Sequence, residues 1–438
     1  MTSWVRHVMW WQVYPLGFLG AEPQQLPAAA EPVHRLAGLH TWLDYLVELG
    51  CNGLALGPIF AAETHGYDTV DHFRIDRRLG TESDFDTLVT ECRRRGVRLL
   101  LDGVFNHVGR DFPAFQDVLR HGRDSSHAGW FHIDFDAGGP DGFRYADFEG
   151  HRHLVALNHG EPAVADYVVK VMNHWLDRGA DGWRLDAAYA VPLEFWATVS
   201  ERVKAAHPDA WLLGEVIHGD YPAWVDKGGL DSTTQYELWK AVWSSLNDRN
   251  FFELSWALDR HAVFSSQFLP LTFVGNHDVT RLASVLRDSR HVEHAIVVLS
   301  TVPGVVSVYA GDEQAFRGVK EDRAGGDDAV RPAFPAEPAG LAPYGWPIYR
   351  RHQQLLGLRR RLPWLVDAKI EVVHLTNEQI AYLASAFDGS DAVLVMLNVS
   401  DQPQRLSVSP GSVVLAAEGH NGDAAEVPAH GWVIARPH

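Results

Sequence analysis

The sequence predicts an α/β protein: a (β/α)8 TIM barrel with a subdomain inserted after its third strand and an all-β domain at its C-terminal end. Three observations lead there. Short apolar strands alternate with helical segments along most of the chain, the order that parallel strands and crossover helices produce. Four polar signatures follow such strands at barrel spacing. A (β/α)8 barrel of about 250 residues allots roughly 31 to each strand–helix unit; Asp186 and Glu215 lie 29 residues apart, one unit, and Glu215 and Asp278 lie 63 apart, two units. Asp102 precedes Asp186 by 84 residues, one unit plus an insertion on the order of 50 residues. Beyond residue 361 the pattern changes to short alternating strands with turn signals between them.

Taken in order, residues 8–14 form the first apolar strand, and a proline- and alanine-rich loop over 20–32 leads to a helix carrying Leu39, Trp42, Leu43, Leu46 and Leu49 on one face. Gly50 ends that helix, and "GLALGPIF" (53–60) is the second strand. Residues 83–95 are a helix with Ser83 as N-cap and Gly96 as its stop. "VRLLLDGVFNH" is a third strand ending in Asp102, followed by Asn106 and His107. Residues 108–161 are rich in Gly, Asp, His and Phe, lack a long periodic helix and exceed an ordinary loop, so they are assigned to an inserted subdomain. A helix over 163–176 leads to the fourth strand at Asp181–Asp186. "WLLGEV" is the fifth, ending in Glu215, residues 232–236 a weak sixth, "LTFVGNHD" a seventh and "VVSVYAGDE" the eighth. The domains are therefore drawn as 1–107 with 162–360 for the barrel, 108–161 for the insertion and 361–438 for a C-terminal β-sandwich.

Composition narrows the function. A net charge of −18 argues against nucleic acid or an anionic membrane as partner. The first twenty residues place a basic residue before apolar ones, but Gln12 and Pro15 break the run and no small-residue cleavage site follows. The long apolar segment 295–311 is split by Pro303-Gly304 into helix, turn and strand, too short to span a bilayer. Cys51 and Cys92, the only cysteines, fit free thiols in a reducing compartment. A cytoplasmic location is expected.

The octapeptide "DGWRLDAA" (181–188) carries the chemistry. Strand alternation points Trp183 and Leu185 one way and Arg184 and Asp186 the other. A guanidinium beside a carboxylate keeps it ionised, as a nucleophile requires. A purely structural ion pair fits this octapeptide equally well, and the other signatures decide. Retaining cleavage of a glycoside needs two carboxylates, one nucleophilic and one donating a proton. Glu215 follows Leu212, Leu213 and Gly214, and apolar surroundings disfavour its charged form, which suits the acid.

"DGVFNHVG", "DGWRLDAA", "LLGEV" and "FVGNHD", in this order, resemble the four conserved regions of the α-amylase family of retaining α-glycosidases and glycosyltransferases. The resemblance covers barrel, insertion and C-terminal domain. It implies Asp186 as nucleophile, Glu215 as general acid and Asp278 as the carboxylate that binds sugar hydroxyls. His107 and His277 match histidines that hydrogen-bond the sugar. Tyr67 and Asp68 in "GYDTVD" match a stacking tyrosine and a sugar-binding aspartate, and Arg331 in "GGDDAVRPAF" resembles an arginine that pairs with that aspartate to close the pocket. Asp102 and Asn106 organise the site, Asp102 as the partner of Arg184. Most of the 16 tryptophans belong to the core, with Trp130 the candidate for a subsite wall.

"LVALN" (154–158) and "GEVIH" (214–218) are most similar to the neopullulanase and cyclomaltodextrinase branch. The first barrel strand starts near residue 8, without the N-terminal β-domain through which those enzymes dimerise, so monomer and homo-oligomer both stay open. The loop after the first strand lacks the Asp-x-Asn-x-Asp-Gly calcium pattern of oligo-1,6-glucosidase-like members, and partners for a second family site at Asn106 find no match. No cofactor and no metal ligands are assigned; a structural calcium stays open. The implied function is retaining hydrolysis of α-glucosidic bonds in short α-glucans, with oligosaccharide as the partner. A transglycosylase, of trehalose- or sucrose-isomerase or glucanotransferase type, would use the same residues. A non-catalytic binding subunit would have lost carboxylates that are present here.

Overall fold

The computed structural model describes residues 3–27, 29–323, 325–406, 408–418 and 424–438. Eight parallel strands form the barrel: β1 (Trp10–Val13), β2 (Gly53–Leu56), β3 (Arg98–Gly103), β4 (Gly182–Leu185), β5 (Trp211–Gly214), β6 (Ser232–Thr233), β7 (Leu271–Thr272) and β8 (Val305–Tyr309). They hydrogen-bond in the order β6-β5-β4-β3-β2-β1-β8-β7, and a parallel bridge between Thr234 and Leu271 closes the ring. The strands are short because each needs only a floor residue and a mouth residue on its inner face.

Period-two alternation sorts the side chains. On β1, Trp10 points into the barrel and Trp11 packs outward against Phe18, Trp42 and Tyr45. On β4, Trp183 packs outward against Phe60 and Phe105 while Arg184 faces the interior. The barrel floor is a compact apolar plug of Val5, Val8, Trp10, Leu100, Trp211, Leu213, Leu269 and Val305. Its centre is a stacked pair, Trp10 on Trp211, with ring centroids 5.7 Å apart and planes 7° from parallel, and Trp4 seals the pair edge-on from below. Gly53 makes that pair possible, because a Cβ there would lie 2.4 Å from the Trp10 ring.

Several local expectations need correction. The helix expected over 83–95 runs Glu82–Arg94, with Thr81 rather than Ser83 at its N-cap; the Asp84 carboxylate accepts the Thr81 N–H at 2.8 Å and its hydroxyl at 2.7 Å, completing a capping box. The insertion, expected to lack a long helix, holds a nine-residue one, Pro113–His121, alongside short strands that pair as hairpins. β7 stops at Thr272, so His277 and Asp278 sit on the loop beyond it rather than at its end. The Pro303-Gly304 break falls as expected between the helix Val292–Thr301 and β8. Among the described residues no helix is long and apolar enough to cross a membrane.

The C-terminal strands are β9 (Lys369–Leu375), β10 (Gln379–Ser385), β11 (Ala392–Asn398), β12 (Gln404–Arg405), β13 (Val413–Ala417), β14 (Glu426–Val427) and β15 (Trp432–Arg436). They form an antiparallel sheet in the order β9-β10-β11-β15-β13, and β12 and β14 pair as a ribbon. Ribbon and sheet enclose a small core of Met396, Leu406, Val427 and Val433. The opposite sheet face, with Tyr382, Val395, Trp432 and Ile434, merges into the main core, where the Tyr382 and Thr301 hydroxyls meet at 2.6 Å. β14 escaped the sequence because two residues carry no alternation.

The floor packing makes a prediction. Gly53→Ala should destabilise the protein by about 1–3 kcal/mol, the usual cost of overpacking, seen as a lower thermal midpoint. An unchanged midpoint would contradict the contact between Gly53 and Trp10.

Candidate active site

A cleft of about 1100 Å³ opens at the C-terminal mouth of the barrel, lined among others by Tyr67, His107, Asp186, Glu215, Asp278 and Arg331. Its side chains come from strand ends. Register sets Arg184 of β4 opposite Asp102 of β3 and Leu213 of β5. Asp186 and Glu215 each lie one residue past their strands, tied by backbone hydrogen bonds to Gly103 and Leu185.

The Arg184 guanidinium is the hub. Its Nη1 donates to both Asp102 oxygens, at 2.7 and 2.8 Å, and to Asp186 Oδ1 at 3.1 Å. Its Nη2 lies 2.6 Å from Glu215 Oε1 and 3.7 Å from Asp278 Oδ2. Asp102 is thus the partner of Arg184, as expected. Burial pushes the Asp102 carboxyl up to about 6 even though Arg184 pulls it down. Burial likewise pushes Asp186 well above the usual carboxylate range; Arg184 opposes it, while Glu215, Asp102 and Asp278 add to it. Asp278 differs. Burial works against its charge too, but His277, Arg331 and Arg184 outweigh it and hold it below the ordinary range.

These surroundings correct two electrostatic expectations. Glu215 is not beside apolar surface: besides Arg184 it accepts the Tyr236 hydroxyl at 3.1 Å and the Ala187 N–H at 3.0 Å. Leu212 and Leu213 belong to separate apolar clusters, on the barrel's outer wall and in its floor, and Glu215 emerges above them into a polar mouth. Arg184, moreover, serves not only Asp186 and the expected Asp102 but is shared among four carboxylates. Ala187 reaches Glu215 by adopting a left-handed backbone, φ 44°, a strained conformation for a residue with a Cβ.

Arg331 also departs from expectation. It does not pair with Asp68. Its Nη2 bonds Asp278 Oδ1 at 2.8 Å and lies 3.0 Å from Asp327 Oδ2, its Nε donates to the His277 carbonyl, and its guanidinium lies over the rings of Tyr14 and Tyr67. Asp68 is buried and accepts the Thr64 N–H at 3.0 Å and the Thr64 hydroxyl. The pocket closure that such a pair would make is therefore absent, because Asp278 takes the arginine instead.

The two histidines hold tautomers that their partners dictate. His277 Nδ1 accepts the Gln12 side-chain amide at 3.1 Å, leaving Nε2 as donor toward Tyr67 and Asp278. Tyr67 in turn donates to Asp102 Oδ2 at 3.1 Å. His107 donates from Nε2 to the Tyr67 carbonyl and accepts from Asn106 at Nδ1, while Phe148 stacks on its ring. Both His107 nitrogens thus serve Tyr67 and Asn106. Burial lowers both histidines to about 3, so both rings are neutral at pH 7.

Sequence reasoning missed Gln12, Tyr14, Tyr236, Asn276, Phe148, Tyr189 and Trp239. Gln12 was legible, since it shares the inward face of β1 with Trp10. Asn276 stood inside a quoted signature, and its amide orients the Tyr236 hydroxyl at 2.9 Å. Tyr236 follows a two-residue strand, which offers no pattern. Trp130, expected as a subsite wall, packs instead against Phe112, Tyr167 and His127 within the insertion.

A closed (β/α)8 barrel that presents three carboxylates to one cleft at its C-terminal mouth fits a glycoside-processing enzyme. The chain belongs to the alpha-amylase family: the sequence profile of the alpha amylase catalytic domain matches residues 12–368. It is a glycoside hydrolase of that family. A cyclomaltodextrinase of Geobacillus thermopakistaniensis is 31% identical over 422 residues, covering 91% of this chain and 70% of that protein. Neopullulanase 2 of Thermoactinomyces vulgaris is 30% identical over 425 residues, covering 92% and 71%. The ligand-free structure of a cyclic alpha-maltosyl-(1→6)-maltose hydrolase from Arthrobacter globiformis aligns with TM-score 0.84 at 26% identity, over 99% of this chain and 100% of that one.

The hub gives a stability test. Arg184→Met leaves Asp102 buried without a counter-charge and should cost about 3–5 kcal/mol. Adding Asp102→Leu should restore part of that loss in urea or thermal unfolding; a double variant no more stable than the single one would contradict the pairing.

Proposed function

We propose that this chain hydrolyses α-glucosidic bonds in short α-glucans, maltooligosaccharides and cyclomaltodextrins among them, with retention at the anomeric carbon. The observation that carries the reading is the single guanidinium of Arg184 gathering Asp186, Glu215 and Asp278 at one cleft wall. Asp186 attacks the anomeric carbon and forms the glucosyl-enzyme, while Glu215 gives its proton to the departing glycosidic oxygen. Glu215, now ionised, takes a proton from the water that attacks the intermediate, and Asp186 leaves as carboxylate. Asp278, positioned by His277, holds sugar hydroxyls, and Tyr67 supports the sugar face. Relatives at 30–31% identity carry the names cyclomaltodextrinase and neopullulanase, which supports the hydrolytic reading; product analysis over time separates hydrolysis from transfer. No cofactor takes part in this scheme.

A cytoplasmic location is part of the same proposal. Cys51 and Cys92 are free and buried, as in a reducing compartment, and an intracellular maltogenic amylase of Bacillus subtilis is 30% identical over 336 residues.

The carboxylate roles are tested with leaving groups. General acid catalysis contributes typically about 10²–10⁴-fold and matters less when the leaving group needs no proton. Glu215→Gln should lose most activity on natural glucosides yet keep its first step on an α-glucosyl fluoride, accumulating a glucosyl-enzyme that mass spectrometry places on the peptide containing Asp186. Asp186→Asn should lose both. A label on another carboxylate, or equal loss of fluoride turnover in the two variants, refutes the assignment.

Metal dependence is a separate check. The turnover number should survive a strong chelator at moderate temperature; loss that calcium alone restores would reveal a catalytic requirement for it.

A further inference from the structure

The seam between barrel and C-terminal domain holds a second cluster of ionisable side chains, outside the four cleft signatures. Asp288 caps the short 3-10 turn Ser289–His291 that leads into the helix Val292–Thr301, and His430 lies in the turn before β15. Each offers one ligand atom, and the three atoms lie within 4.8 Å of one another; among the described residues no other trio of such side chains does so. His291 and His430 are 2% and 8% exposed, and their rings stack at 5.3 Å. His430 stands in a left-handed backbone conformation, φ 51°, and its N–H to Ser400 helps to fix that turn. His294, edge-on to His291 at 5.1 Å, also has a buried Nδ1 without a partner.

The hydrogen bonds point the His430 lone pair inward. His430 Nε2 donates to Asp401 Oδ1 at 2.8 Å, which leaves Nδ1 as the acceptor, and that Nδ1 faces His291 Nε2 at 3.0 Å. A carboxylate behind a histidine that fixes its tautomer is the usual outer partner of a metal ligand. We propose that Asp288, His291 and His430 form a binding site for one divalent transition metal ion, which clamps the C-terminal domain to the barrel. Two imidazoles and one carboxylate suit zinc, cobalt or nickel rather than calcium or magnesium, which prefer all-oxygen sites. Metal binding requires only that the His291 proton move from Nε2 to Nδ1, so neither ring changes charge. Water fills the remaining position.

Two cations compete. Arg290 holds Asp288, with Nη2 2.6 Å from Oδ2 and Nε 3.0 Å from Oδ1, and the Arg290 backbone N–H also donates to Oδ1. Arg249 lies 3.2 Å from Asp401 Oδ2 and also pairs with Glu378. Arg290 is more than half exposed and is free to swing into solvent when a metal takes Asp288.

The test is titration of the chelator-stripped full chain with Co²⁺, followed by its visible absorption and displaced by Zn²⁺, with the thermal midpoint as a second readout. One equivalent should bind with the absorption of a four- or five-coordinate ion, and the midpoint should rise with metal concentration. His430→Gln and Asp288→Asn should weaken binding about 100-fold or more, Asp401→Asn about 10-fold, and Arg290→Gln should bind at least as tightly as the unaltered chain. Turnover of glucosides should stay unchanged in all four, which also certifies folding; if His430→Gln fails to fold, the more exposed Asp288→Asn carries the comparison. No stoichiometric cobalt spectrum, or binding that Asp288→Asn leaves intact, overturns the site. Since the readout is metal and not sugar, this outcome is independent of the proposed activity.

Discussion

One buried guanidinium holds the site together. Arg184 is 7% exposed, and a cation taken from water costs far more than one pair repays unless further hydrogen bonds satisfy it. Its two terminal nitrogens find that satisfaction in Asp102, Asp186 and Glu215, from three adjacent strands. The arrangement follows from sheet register. A slip of one residue between β3 and β4 would send Arg184 outward among the apolar crossover helices and put Leu185 in the mouth. Hydrophobic burial of Trp183 and Leu185 on the outer face therefore also locks the catalytic face.

Below that layer the barrel is apolar and filled, and above it polar and open. The Trp10–Trp211 stack, sealed by Trp4, fills the floor with aromatic carbon, so a ligand can approach only from the strand ends. The insertion completes the upper wall. Phe148 covers His107, and Glu149, at φ 53°, accepts the Tyr189 hydroxyl at 3.1 Å from the loop after β4. That contact ties the insertion to the segment bearing Asp186, so the cleft walls are set relative to the carboxylates by direct hydrogen bonding.

The sequence was most readable where one strong period dominated. β3, β4 and β5 each show an apolar run ending in a carboxylate, and all three carboxylates stand in the mouth. β6 and β7 have two residues each, too few for any period to register, and Tyr236 and the true position of Asp278 were lost with them. Ser83 was read as a cap because it is a good N-cap type; Thr81 won because Asp84 stands three residues after it, and that offset was the signal to weigh. The pairing of Arg331 with Asp68 failed for another reason. Partners of long side chains depend on which carboxylate is nearest in space, and a motif match carries no distance.

The same limit governs the acid–base split. Local neighbours in sequence assigned an apolar setting to Glu215 and an Arg184-ionised carboxylate to Asp186, and the folded site gives neither. Four carboxylates share Arg184, Arg331 neutralises Asp278, and burial raises both Asp102 and Asp186. Groups this close titrate as a set, so a proton on one disfavours a proton on the next. In the proposed reaction an anomeric carbon gaining positive charge beside Asp186 favours its ionised form over the protonated one. The substrate itself thus drives Asp186 towards the charged nucleophile. Distinct roles for two carboxyl groups then arise from the loaded site, where differential stabilisation of charge acts, rather than from the resting one.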